Sequence, residues 1–246
     1  SVVLMIGDPD LEKTFENIQI AVDEGIDIVE LGIPIAEPIL DSRIMYESMN
    51  RALNYSNDLS SYLIALQSIR RKFPSVAFEV MVYKDTVSNI GFDKFFKGLS
   101  DTEMDAVLVA DGVLHGQEYL DKVDTSLKNA NCIPIRFVPH PYDPAQLPDL
   151  KSNGNGFIVV QTKTDRQGKR DSVLSTNKVT LDSIRSFGVV TPLVMAYGIK
   201  TPKDIEVCMK LGADGVLIGS SVLDAAYKYS RDEFVNLLKA YRKAAK

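Results

Sequence analysis

The chain has 246 residues, of which 45% are hydrophobic, 25% charged and 8% aromatic; this is ordinary globular composition and excludes disordered and fibrous classes. Its formal charge is −5, with 28 basic residues interleaved among 33 acidic ones, so no basic block offers itself to nucleic acid. Two cysteines, Cys132 and Cys208, supply neither a disulfide framework nor a metal-ligand cluster, and no run approaches the roughly 18 apolar residues of a membrane span, so the expected setting is the reducing cytoplasm.

The first apolar run, residues 2–6, is too short for a signal peptide and reads as a strand. Seven similar runs follow, at 28–31, 78–82, 106–109, 134–138, 156–160, 192–195 and 215–218. Each is nearly continuously apolar, as strands of a parallel sheet buried on both faces are. Between them lie segments of helical period: Leu11, Phe15, Ile18 and Val22 after the first run, then Tyr62, Leu66, Ile69 and Phe73. Ile205, Cys208 and Met209 follow the seventh, and Phe234, Leu237, Leu238 and Tyr241 mark a last helix that ends in a solvated basic tail. Asp58, and Thr201 followed by Pro202, read as helix starts. Eight strand-helix units without a low-complexity linker predict one α/β domain over 1–246, a (β/α)8 TIM barrel, for which roughly 250 residues is the typical length.

The loops after the strands' carboxyl ends build the active site in that architecture, so polar residues there carry the functional weight. Glu30 sits inside the second apolar run, where burial would raise its pKa toward neutrality and suit it to proton transfer; the alternatives are a pairing with a lysine from an adjacent strand or a solvated strand end. In the following loop Asp41 reads, on local grounds, as the cap of a helix beginning near Ile44. Gly198 follows the seventh run, and Gly219 and Ser220 follow the eighth directly before a helix; these are the recurrent phosphate-binding loops of the fold, although glycines also serve simple turns. The polar stretch 165–170, containing Gln167 and Gly168, has the composition of a lid. Tyr83 and Asp111 either line the pocket or act as a core tyrosine and a turn aspartate, while His115 and His140 lack partners at metal spacing.

Several of these segments together resemble the tryptophan synthase α subunit family across nearly the whole chain. They are Gly7-Asp8-Pro9, Glu30-Leu31-Gly32-Ile33-Pro34 with Pro38 and Asp41, Val107-Leu108-Val109-Ala110-Asp111, Tyr197-Gly198-Ile199 and Gly219-Ser220. The resemblance implies a lyase that cleaves indole-3-glycerol phosphate to indole and glyceraldehyde 3-phosphate by a retro-aldol route. Glu30 then matches the family's general acid/base, and Asp41 the carboxylate that binds the indole N–H. Gly168, Gly198, Gly219 and Ser220 fall on phosphate-binding positions, with Phe157, Tyr197 and Tyr83 as candidates for the pocket wall and Gln167 at the position of a lid threonine. No metal or cofactor is implied in this chain; pyridoxal phosphate belongs to an expected β-subunit partner in an αββα assembly. The sequence departs from the family pattern at Ser42-Arg43, Val159, Asp165 and Gln167, and in starting at the first strand without a preceding cap helix. Two rival readings are another sugar-phosphate-binding barrel and a non-catalytic subunit that activates a β-type partner.

Overall fold

The computed structural model describes residues 1–163 and 170–246. Five strands lie side by side in chain order, β1 (Val2–Met5), β2 (Ile28–Gly32), β3 (Ala77–Val82), β4 (Ala106–Val109) and β5 (Ile133–Pro134). Four more form a second sheet in chain order, β6 (Arg136–Val138), β7 (Ile158–Gln161), β8 (Leu193–Ala196) and β9 (Gly215–Leu217). Every pairing in both sheets is parallel. Parallel neighbours need a crossover, and at least one helix separates each paired strand from the next.

Eight apolar runs thus give nine strands among the described residues, because the fifth run is divided at Ile135. Pro134 has no N–H to give to a ladder, and its strand stops there. The same point separates two compact units, Ser1–Pro134 with Gly219–Leu238, and Ile135–Ile218 with Lys239–Lys246.

In the first unit Val29, Leu31, Val80 and Val82 are fully buried, and each such side chain contributes about 1.5–3 kcal/mol by leaving water. The helix Leu11–Asp23 starts on Asp10, whose carboxylate accepts from the Lys13 N–H at 2.7 Å. Its buried face runs through Thr14, Asn17, Ile18 and Ala21, so the expected stripe is correct at Ile18 while Leu11, Phe15 and Val22 are only half-buried. The stripe Tyr62, Leu66 and Ile69 lies on the helix Ser61–Lys72, and all three are buried, as is Phe73 just beyond. Asp58 does not cap that helix; it makes the turn before it, accepting from the Ser60 N–H at 3.0 Å.

In the second unit Thr201 caps the helix Pro202–Lys210 through a capping box with Asp204, as the Thr-Pro pair predicts. Ile205 and Cys208 face inward there. Tyr241, near the end of the helix Arg231–Ala244, donates to the Lys200 carbonyl at 2.7 Å. Both cysteine thiols are buried and free, and burial pushes each up to about 11, which makes them inert core groups. Among the described residues no helix is long and apolar enough to cross a membrane.

Candidate active site

The first unit holds five of the predicted positions, Glu30, Asp41, Tyr83, Gly219 and Ser220. Glu30 is 2% exposed in the middle of β2, held there by apolar neighbours on both sides in sequence. No lysine of an adjacent strand stands opposite it: its partner across the ladder on β1 is Val3, and on β3 it is another acid, Glu79. Burial pushes Glu30 up to about 7; the neighbouring Glu79 carboxyl works against this and the charge of Asp41 adds to it. A carboxyl in that range is half-protonated at neutral pH and exchanges protons in both directions.

Asp41 departs from its local reading. Ser42, not Asp41, caps the helix Arg43–Tyr55, its hydroxyl accepting from the Met45 N–H at 3.3 Å. The Asp41 side chain is therefore released from capping, and Tyr83 donates its phenol proton to Asp41 Oδ2 at 2.7 Å. Burial raises the Asp41 pKa and the Tyr83 hydrogen bond pulls it back. Tyr83 is both things the sequence allowed, a core ring only 2% exposed and a polar contact for the loop carboxylate.

Gly219 precedes the helix Ser220–Lys228, and the Ser220 hydroxyl lies 2.7 Å from that of Ser42. A Cβ at Gly219 would stand 3.4 Å from a Val3 methyl and 3.6 Å from the Met45 sulfur. The strand-to-helix turn thus brings backbone amides and a helix N-terminus to the same end of the sheet as the Ser42 loop, the arrangement that accepts an anion. Asp111, after β4, is buried and accepts from the Lys84 N–H at 2.9 Å, with its other oxygen 2.8 Å from His115 Nε2. It organises the start of the helix that follows β3, Lys84–Ile90.

Three further predicted residues belong to the second unit. Tyr197 adopts a positive φ of 72°, followed by Gly198 at 69°, so the turn after β8 is left-handed at two consecutive residues and Gly198 supplies the one that costs nothing. The Tyr197 ring packs 5.8 Å from that of Phe137, and its carbonyl accepts from Thr162. Phe157 is buried just before β7. His140 uses its backbone N–H on Gln161 Oε1, consistent with an ordinary loop residue. Gly168, Gln167 and the rest of the lid stretch lie outside the described residues. Among the described residues no group of three or more His, Cys, Asp and Glu is placed to hold a metal ion.

Sequence reading passed over Glu79. The signal was available, since a lone carboxylate interrupts the apolar strand Ala77–Val82 in the same way that Glu30 interrupts its own.

Parallel strands joined by helices, with a buried acid and a glycine-to-helix turn at the sheet's carboxyl end, define a β/α enzyme scaffold for acid/base chemistry on an anionic substrate. The sequence profile described as "Tryptophan synthase alpha chain" matches residues 2–245, and the chain belongs to that family. It is 26% identical to the tryptophan synthase alpha chain of Corynebacterium efficiens over 95% of this chain and 82% of that one. With the Sodalis glossinidius protein of the same name the identity is 27% over 94% and 85%. The fold matches tryptophan synthase subunit alpha from Campylobacter jejuni with a TM-score of 0.82 at 24% identity, covering 98% of this chain and 94% of that one. A tryptophan synthase complex from Pyrococcus furiosus matches with a TM-score of 0.82 at 20% identity, over 98% and 96%. The fold is accordingly the (β/α)8 barrel of these relatives.

Proposed function

We propose that the chain cleaves indole-3-glycerol phosphate to indole and glyceraldehyde 3-phosphate, the lyase step of tryptophan biosynthesis, within one barrel domain spanning 1–246. In this reading protonated Glu30 gives its proton to C3 of the indole ring. The carbon–carbon bond to the glycerol chain then breaks, its electron pair returning to the ring. The hydroxyl proton on the departing carbon goes back to Glu30, and that carbon becomes the aldehyde. Asp41 accepts the indole N–H and stabilises the positive charge that the ring carries between these steps, a division of labour between two carboxylates in different environments. Gly219 and Ser220 receive the phosphate at the N-terminus of their helix; Gly198 and Gly168 join them by family resemblance, as do Phe157, Tyr197 and Tyr83 as pocket wall and Gln167 as the lid residue.

The observation that carries this reading is a wholly buried carboxyl on β2 held near neutral pH, with a second carboxylate on the loop that follows it, oriented by Tyr83. A relative whose structure is titled a tryptophan synthase complex supports a β-subunit partner, which would hold the pyridoxal phosphate and receive the indole. The cytoplasm is the setting we assign. Indole release from indole-3-glycerol phosphate by the purified chain tests the proposal. Glu30→Gln should lower that rate by at least about 10²-fold, the usual contribution of a proton transfer, while calorimetric affinity for the substrate stays within a few-fold. Absence of indole with and without a β partner would leave the chain a non-catalytic activating subunit.

A further inference from the structure

The mechanism above leaves the buried acid of β3 unused. Glu79 is 0% exposed, and the row of ladder partners across the sheet reads Val3, Glu30, Glu79, Ala106. Ladder partners of a parallel sheet project to the same side from strands about 4.8 Å apart, so the two carboxyls are neighbours, flanked in their row by an isopropyl and a methyl group. No described group donates a hydrogen bond to either oxygen of Glu79 or to Glu30 Oε2. Asp41, from the loop after β2, adds its charge to Glu30. Two adjacent buried carboxylates with no described donor cannot both stay ionised in such a place. A single proton between them turns the contact into a charge-assisted O–H···O⁻ hydrogen bond.

We propose that Glu79 is the positioning residue for Glu30, a permanently neutral acid that donates its O–H to the Glu30 carboxylate whenever Glu30 has given up its proton. The inference rests on Glu30 acting as the acid/base, although the pairing itself is independent of the substrate. Both oxygens of Glu79 are buried without a donor, against one of Glu30, and Glu79 is the deeper of the two at 0% against 2% exposed; Glu79 is therefore the member that keeps its proton. Over one turnover the proton balance closes. Glu30 gives one proton to the ring carbon, rests as a carboxylate held by the Glu79 O–H, and recovers one from the substrate hydroxyl, while Glu79 ends as it began.

The sign of the effect is fixed by this geometry. A neutral donor stabilises the ionised form of Glu30, so removing it raises the pH at which Glu30 titrates. The experiment follows glutamate side-chain carboxyl carbons by NMR against pH in the full chain, in Glu79→Leu and in Glu79→Gln, with Glu30 assigned by its loss in Glu30→Gln. In the parent, one glutamate should titrate near 7 and another remain protonated above that. Glu79→Leu should abolish the second signal and move the Glu30 midpoint up by about one pH unit, a tenfold gain in proton affinity. Glu79→Gln, whose amide N–H replaces the O–H as donor, should return the midpoint most of the way, and the high-pH limb of kcat/KM should move with it. The proposal is overturned if the parent shows no glutamate protonated above neutral pH, if Glu79→Leu leaves the midpoint in place, or if Glu79→Gln is no closer to the parent than Glu79→Leu. Midpoints that move as expected in a chain releasing no indole would keep the pairing and remove the lyase reading. Indole release with an immobile midpoint would do the reverse.

Discussion

Glu30 and Asp41 are both carboxylates, yet their surroundings set them to different tasks. Glu30 lies among apolar strand residues and another acid, and is pushed up to about 7; Asp41 is half-buried and receives the Tyr83 hydroxyl. The first must begin its cycle protonated, so kcat/KM should fall as pH rises through about 7. The second must be ionised to hold the indole N–H, so activity should be lost again as pH drops through its elevated pKa. Tyr83→Phe removes the hydrogen bond that lowers the Asp41 value, and the low-pH limb should move upward by roughly one pH unit, the scale of a hydrogen bond to a charged group. A pH profile of kcat/KM decides it, and superimposable low-pH limbs would detach Tyr83 from Asp41. The Glu30 position was legible because a carboxylate interrupts an apolar run. The freeing of Asp41 was not, because Ser42 and Asp41 are adjacent and equally good caps by type; the backbone geometry chose Ser42.

Between elements, the end of β1 is tied to the helix Arg43–Tyr55 through Asp8. Arg51 donates to its two carboxylate oxygens at 2.6 and 2.7 Å, Ser48 donates to it as well, and the Arg51 guanidinium stacks 3.9 Å from the Tyr227 ring centroid. Asp8 is 7% exposed, so removing its cation strands a charge in a dry place. Arg51→Met, which keeps the stem, should cost about 3 kcal/mol, read as a lower urea midpoint with an unchanged slope. A midpoint equal to the parent's would mean that Ser48 alone satisfies Asp8. None of this pairing was legible, since Asp8 and Arg51 are far apart in sequence and each is unremarkable in its own segment. Helix starts divided in the same way. Thr201 was readable because the capping box is entirely local, whereas the helix starting at Ser61 has a cap, Ser60, whose side chain makes no capping bond.

For the molecule as a whole, no described cluster suits a metal, and lyase turnover should be unchanged after exhaustive chelation; loss with EDTA and recovery with a divalent ion would refute the acid/base site. A β-type partner that favours a closed site should raise kcat/KM for indole-3-glycerol phosphate. Equal values with and without the partner would show that closure is not limiting. The sequence by itself determined the repeat of strand and helix, because buried parallel strands must be continuously apolar and each helix must bury one stripe. It also determined the position of the buried acid and the two glycine turns. Only the tertiary structure decided that the fifth run is cut at Pro134, that Tyr83 holds Asp41, and that Glu30 faces Glu79. Those depend on which residues meet across strands and loops, and ladder register, unlike periodicity, is a relation between segments that no single segment contains.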